Sequence, residues 1–265
     1  MSERGDRGLA TEASQERYET ELRQGESIID GDLESAWGWT SPAGQVRAQR
    51  RAEFLIGEAQ LAPGVRCLEL GAGTGEFTER IARSGCDLVA LEISPATAER
   101  CRARVGAGVE VVVGNAETAE GLRGEAFDAI VGVSVLHHVN LDLCLRNTFS
   151  LLRPGGRFAF SEPNLANPQI WAERNVRAVG RWRHTTPHET AFRAPELKAM
   201  IEAAGLVVTT CEPFEFLHPA TARALIPVVE RVEHWLEATP ARAIAGSVRV
   251  SGRRPDDGPV GHVAD

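Results

Sequence analysis

The stretch "LELGAGTGEFTERIA" at Leu68–Ala82 restricts the fold more than any other part of the chain. An apolar run, "VRCLEL", leads into three glycines at alternate positions, and "EFTERIARSG" then carries helix-forming residues up to Gly85 as a stop. The run lacks polar alternation, as expected of a strand buried on both faces of a parallel sheet. Gly71, Gly73 and Gly75 therefore occupy a strand-to-helix turn, where missing side chains allow a tight bend and a close approach to main-chain atoms. The spacing is Gly-x-Gly-x-Gly, whereas a dinucleotide fingerprint needs Gly-x-Gly-x-x-Gly and a phosphate loop ends in Gly-Lys-Ser/Thr. Glu76 stands at the third fingerprint position, and a carboxylate there disfavours a diphosphate and hence a nicotinamide oxidoreductase. The expected ligand is nucleoside-like and free of phosphates.

Punctuation after this turn repeats the pattern. Strands are expected at Cys86–Leu91, Val109–Val113, Phe127–Ser134 and in "RFAFSE", with a helix after Ser94-Pro95 and another near Leu141–Leu152. "APELKAMIEAAGLVVTTCEPF" reads as helix, glycine stop and strand, and "AIAGSVRVSG" as a last strand. Such alternation predicts an α/β fold with a doubly wound, mainly parallel sheet, whose ligands lie beyond the carboxyl ends of the strands. The expected organisation is a loose tail at 1–17, a helical cap at 18–62 with a helix near Gln45–Gln60, a domain at 63–252 with a lid insertion near 164–194, and a second loose tail at 253–265.

"LELGAGTG" resembles the first motif of class I S-adenosylmethionine-dependent methyltransferases, acidic-x-Gly-x-Gly-x-Gly, with Glu69 in the acidic place. Further matches follow in order from about Leu61 to Glu212. The resemblance implies a seven-stranded Rossmann-like fold with S-adenosylmethionine as cofactor. It makes Glu92, at the end of the second strand, the ribose ligand and lets Ile93 pack on adenine. In "GNAE", Asn115 and Ala116 stand where relatives carry aspartate and a small residue against the adenine edge; a turn role for Asn115 competes with that reading. The last strand is implied to enter antiparallel at the sheet edge.

"GVSVLHHVN" brings Ser134, His137 and His138 toward the expected transfer region, and "SEPN" brings Glu162 to the same crevice. Methyl transfer from a sulfonium is an in-line displacement governed by positioning, and a hydroxyl or ammonium acceptor also needs a base. His137, His138, Glu162 and, more weakly, His188 are the candidates. Trp37, Trp39 and Trp171 are candidates for an apolar acceptor wall, with ordinary core packing as the alternative for each. "SEPN" is not the Asp/Asn-Pro-Pro-Tyr tetrad of amino-methylating DNA enzymes, and no Pro-Cys motif for cytosine chemistry occurs.

Composition narrows the partners. A net charge of −8 argues against a general polyanion binder. The cluster Arg47, Arg50, Arg51 is open to an acidic substrate or to a solvated helix face. Five scattered cysteines without a Cys-x-x-Cys pair suggest reduced core thiols and no metal. "HPATARALIPVVERVEHWLEATP" has the period of an amphipathic helix, packed on the domain or on a second copy of the chain. With no long apolar run and a polar start, the expectation is a cytoplasmic enzyme without membrane or nucleic-acid partners, a homodimer being open. Its expected reaction is methylation of a small or medium-sized metabolite, at oxygen, in bacterial specialised metabolism. The alternatives are an S-adenosylmethionine-binding enzyme of the same fold with a non-methylating reaction, and a non-catalytic binding subunit.

Overall fold

A computed structural model describes residues 16–17, 19–20, 22, 38–119, 121–122, 124–176 and 190–256. A single seven-stranded sheet organises them. Its strands are β1 (Arg66–Leu70), β2 (Asp87–Glu92), β3 (Glu110–Val113), β4 (Phe127–Val133), β5 (Leu152–Pro163), β6 (Val207–Phe214) and β7 (Ser247–Arg253). The helices are α1 (Pro42–Glu58), α2 (Glu76–Ala82), α3 (Pro95–Val105), α4 (Leu141–Leu151), α5 (Pro168–Asn175), α6 (Ala194–Ala203) and α7 (Ile226–Glu237). Strand order is β3-β2-β1-β4-β5-β7-β6, with β1 to β5 mutually parallel and β7 antiparallel to both neighbours.

Alternate residues of the central strands feed two cores. Leu68, Leu70, Ile130, Phe158 and Phe160 pack under α4 and α6, while Cys67, Ala129, Val131 and Ala159 pack under α1 and α2. The caps explain where helices begin. Ser41 accepts from Gly44 N and Pro42 fixes the first turn, so α1 starts three residues before the expected Gln45. Ser94 caps α3 and Asn140 caps α4 in the same way.

The last strand departs from expectation. β7 is antiparallel but lies between β5 and β6, leaving β6 at the edge. Small residues make this insertion feasible: a Cβ on Gly252 would meet the Val207 carbonyl oxygen at 2.0 Å and the Phe158 ring at 2.6 Å. The run Arg153-Pro154-Gly155-Gly156, ahead of the expected strand "RFAFSE", is part of β5, where the pairing with β4 shifts between Phe127 and Ala129. Both tail boundaries also move. Arg17 is helical and its guanidinium reaches Glu117, while Arg254 donates to the carbonyls of Phe149 and Leu152. Residues 1–15 and 257–265 lie outside the described residues.

The arginine cluster on α1 is neither a substrate cradle nor a solvated face. Arg47 and Arg51 both donate to Glu215, Arg51 also to Ser247, and Arg50 pairs with Glu230 and Glu233 of α7. Trp39 packs beneath Arg47 and Arg51, each guanidinium 5.2 Å from the ring centroid. Burial by itself would raise the Glu215 carboxyl; Arg51 and Arg47 outweigh it and hold that group below its ordinary value. The amphipathic α7 buries Ile226 and Glu233 against the domain, and Val229 packs there too. Leu225, Val228, Val232 and Trp235 (65% exposed) face outward. Thus only part of its apolar pattern serves the domain. Among the described residues, no helix is long and apolar enough to cross a membrane, and no group of three His, Cys, Asp or Glu side chains is placed to hold a metal ion. All five cysteines are free thiols.

The α1–Glu215 network yields a stability prediction. Glu215→Gln leaves two buried arginines without their counter-charge, and the expected cost is about 3–5 kcal/mol in urea unfolding. A loss below about 1 kcal/mol would contradict a structural role for the pair.

Candidate active site

The carboxyl ends of β1, β2, β4 and β5 converge on one crevice. At its base the chain leaves β1 through Gly71, whose φ is +70° and whose Cβ would lie 2.7 Å from Val135 Cγ2. Only glycine tolerates that left-handed backbone together with that lack of room. Gly71 N and Ala72 N both donate to the Leu91 carbonyl, tying the turn to the end of β2. Gly73 N donates to Glu92 Oε2 at 2.8 Å, and Glu92 Oε1 accepts from Ser94 N and Thr97 Oγ1. Glu92 is therefore anchored directly beneath the glycine turn. Ile93, half-buried, follows it, and Gly75 caps α2.

Glu69 occupies the same end of β1 and is 2% exposed, yet its Oε2 has no hydrogen-bond partner. Burial pushes its carboxyl up to about 7; a hydrogen bond with Thr78 opposes the shift and the nearby Glu92 charge adds to it. Glu76 is placed differently from the sequence expectation. Its carboxylate is neutralised by Arg80 (2.8 Å) and Arg104 (3.1 Å) and accepts from Gln45 Nε2 (3.1 Å). With Glu76 matched by two arginines, the carboxylate at the turn itself is Glu92, whose Oε2 accepts from Gly73 N.

The loop after β4 forms the opposite wall. Ser134 has a φ of +54° and its N–H donates to the Ser161 carbonyl at 2.8 Å. Glu162, fully buried at the end of β5, accepts from Val135 N (3.0 Å) and Leu136 N (2.9 Å) through Oε1. Its Oε2 lies 2.7 Å from His137 Nδ1. This contact fixes the orientation of the His137 ring against the end of β5. His138 sits half-buried with its ring 4.1 Å from that of His137. The structure brings His137, His138 and Glu162 together, with Glu162 as the anchor of the loop.

The remaining candidates separate. Asn115 Oδ1 accepts from Glu117 N at 2.8 Å, closing its own turn, and the Ala116 carbonyl accepts from Asn147 Nδ2. Trp39 is buried edge-on against Phe77, where it supports α2. Trp171 on α5 is 47% exposed. Trp37 and His188 lie outside the described residues. The insertion is tied down at both ends: Leu165 N donates to the Phe192 carbonyl, Phe192 N donates to the Pro163 carbonyl, and Thr190 N donates to the His137 carbonyl. Sequence reasoning passed over Glu117, a buried carboxylate that accepts from Asn140 N at 2.7 Å. Its position directly after the Asn115 turn was the available signal.

Comparison with known proteins identifies the family. Residues 68–160 match the family model described as a methyltransferase domain. A ubiquinone biosynthesis O-methyltransferase of Agrobacterium fabrum is 32% identical over 203 residues, covering 68% of this chain and 81% of that protein. The corresponding protein of Sinorhizobium fredii is 34% identical over 156 residues, which is 55% of this chain and 61% of the relative, so there the match spans about three fifths of the relative's length. Among solved structures, N-methyltransferase NodS from Bradyrhizobium japonicum, in complex with S-adenosyl-L-homocysteine, superposes with a TM-score of 0.60. It is 16% identical, with 89% of this chain and 98% of that one covered. The [4+2]-cyclase SpnF superposes with a TM-score of 0.58 at 21% identity, over 80% and 82% of the two chains. The chain belongs to the class I S-adenosylmethionine-dependent methyltransferase family.

The raised Glu69 carboxyl gives a pH prediction. The folded chain holds this proton up to about pH 7, whereas the ordinary value is 4.5. Between those values the folded state binds more protons than the unfolded one, so this group's contribution to stability falls as pH rises and its full cost is present above 7. Glu69→Gln should therefore be more stable than wild type at pH 8, by a margin on the order of 3 kcal/mol, and nearly equal to it near pH 4. Urea unfolding of both proteins at the two pH values checks this; parallel pH profiles would refute it.

Proposed function

We propose that the protein transfers a methyl group from S-adenosylmethionine to a hydroxyl of a small or medium-sized, apolar or aromatic metabolite. One observation carries the cofactor reading: the buried Glu69 oxygen without a partner, next to Glu92 under a glycine turn that exposes main-chain atoms. A ligand that brings cationic groups fits this pair of carboxylates, and a ligand with hydroxyls fits the position of Glu92 at the end of β2. Glu69, Gly71, Gly73, Gly75, Glu92, Ile93, Ala116 and Ser134 would hold it. When bound, it supplies an electrophilic methyl on a sulfonium.

The protein's own contribution is positional and acid–base. His137 is the base in this reading, since Glu162 Oε2, 2.7 Å from Nδ1, holds its ring at the end of β5 beside His138. Glu162 is reassigned from base to positioning residue, because both its oxygens are engaged and it is fully buried. His138 braces the His137 ring. The insertion, joined to the His137 carbonyl through Thr190, would limit water at the reacting atoms. Oxygen as acceptor atom is supported by the ubiquinone biosynthesis O-methyltransferases among the relatives, although NodS is an N-methyltransferase. The outward face of α7 makes a homodimer the reading to check by sedimentation, and a cytoplasmic setting and a place in specialised metabolism complete the proposal.

The test is S-adenosylhomocysteine formation with a panel of aromatic hydroxyl acceptors. His137→Ala should lower kcat by about 100-fold or more while the affinity for S-adenosylhomocysteine, measured by calorimetry, stays within about threefold. Glu162→Gln should lower kcat and move the acidic limb of the pH–rate profile. Unchanged turnover in His137→Ala would reject the base. A cyclised or otherwise rearranged product formed without S-adenosylhomocysteine would favour the non-methylating alternative, for which SpnF shares the fold.

A further inference from the structure

The amphipathic pattern of α7 is inverted with respect to its own domain. Its three carboxylates are spent inward. Glu233 is 2% exposed, its Oε1 accepting from Phe216 N and Leu217 N while Oε2 pairs with Arg50; Glu230 also meets Arg50, and Glu237 accepts from Glu215 N. Leu225, Val228, Val232 and Trp235, by contrast, are 48% to 65% exposed. An ordinary surface helix does the reverse. Because both Glu233 oxygens are held, rolling the helix to hide its apolar stripe would leave a buried carboxylate without partners. The fold therefore presents that stripe outward in a fixed orientation.

The stripe also matches itself. Its members are spaced three, four and three residues apart, with the larger side chains at the ends and two valines at the centre. A two-fold axis midway between Val228 and Val232 that sets a second α7 antiparallel to the first places Leu225 against Trp235 and Val228 against Val232, each pair twice, as an isologous contact requires. Small β-branched residues at the centre let the helix axes approach to about 8–10 Å, and the larger ones fill the ends. The exposed parts of the four side chains amount to on the order of 400 Å², a patch of the size that marks an interaction site and about half of what each partner gives to a standard interface, whose remainder is polar rim. Exposed Arg231 borders the stripe, and the two-fold axis brings its two copies to the same side of the contact. That repulsion is screened by salt.

We propose that the outward face of α7 is the contact of a homodimer in which two copies of the helix lie antiparallel across a two-fold axis, Trp235 of each packing on Leu225 of the other. This rests on and deepens the homodimer reading above, and it is independent of the chemistry in the crevice.

Sedimentation equilibrium of the full chain between about 1 and 100 µM tests it, and wild type should be dimeric at the upper end of that range. Trp235→Ala should weaken association by about 30-fold or more, because an aromatic anchor carries much of the energy of such a contact. Val232→Glu should be monomeric throughout. Thermal unfolding checks that each variant folds, and Trp235→Ala decides alone if the glutamate variant does not. Raising sodium chloride from about 0.05 to 0.5 M should tighten the wild-type dimer by screening the two Arg231 side chains. For the register, Val228→Cys and Val232→Cys chains are mixed and oxidised, and peptide mapping should find position 228 of one chain bridged to position 232 of the other. A wild type that stays monomeric, association that weakens with salt, or a bridge joining position 228 to its own counterpart in preference overturns the proposal. So does a monomer that binds phosphatidylglycerol vesicles through Val232 and Trp235, which would assign the stripe to a lipid surface. A dimer that survives both substitutions keeps the homodimer and removes α7 as its contact. Absence of S-adenosylhomocysteine formation from an α7-paired dimer would remove the methyl-transfer reading and uphold this one.

Discussion

Val135 fills the space between the two central parallel strands, and the site is built around that contact. A Cβ on Gly71 would strike its Cγ2 at 2.7 Å, and one on Gly132 would strike its Cγ1 at 2.8 Å. The loops that leave β1 and β4 are therefore packed against each other at their glycines, a separation that larger residues would not allow. Glu162 completes the junction from β5 by accepting the N–H groups of Val135 and Leu136. The glycine turn, the histidine pair and the end of β5 thus share one rigid contact.

Carboxylates in this chain serve two distinct ends. Glu215, Glu76 and Glu233 are matched by arginines or main-chain donors and hold α1, α2, α3 and α7 in place. Such pairs cost desolvation, so their value lies in fixing which elements meet. Glu69 and Glu117 are buried with one oxygen each lacking a donor, and both face the crevice end of the sheet. The contrast separates carboxylates whose oxygens are both met within the fold from carboxylates with one oxygen that is not.

Much of the architecture was legible because it is written in local patterns. Apolar runs ending in glycine or proline placed β1 to β6 nearly where they lie, and capping residues such as Ser94 and Asn140 marked helix starts. The insertion of β7 between β5 and β6 was not legible. Edge and interior positions differ by which neighbours a strand finds, and only the space left by Gly252, Ser247 and Ser251 reveals that β7 is enclosed. The roles of Arg47, Arg50 and Arg51 were equally hidden, since their partners Glu215, Glu230 and Glu233 are more than a hundred residues away in sequence.

The sequence by itself determined the alternating fold, the turn at Gly71–Gly75 and the carboxylates and histidines that reach the strand ends, because spacing along a strand or helix converts directly into which side and which end a residue occupies. Tertiary structure alone decided their duties. It buried Glu162 against the Val135 and Leu136 N–H groups and the His137 ring, turned Asn115 onto its own backbone, neutralised Glu76 with two arginines, and left Glu69 and Glu117 each with one oxygen lacking a donor. A side chain's duty follows from which donors and charges surround it, and those come from segments that only the folded chain brings together.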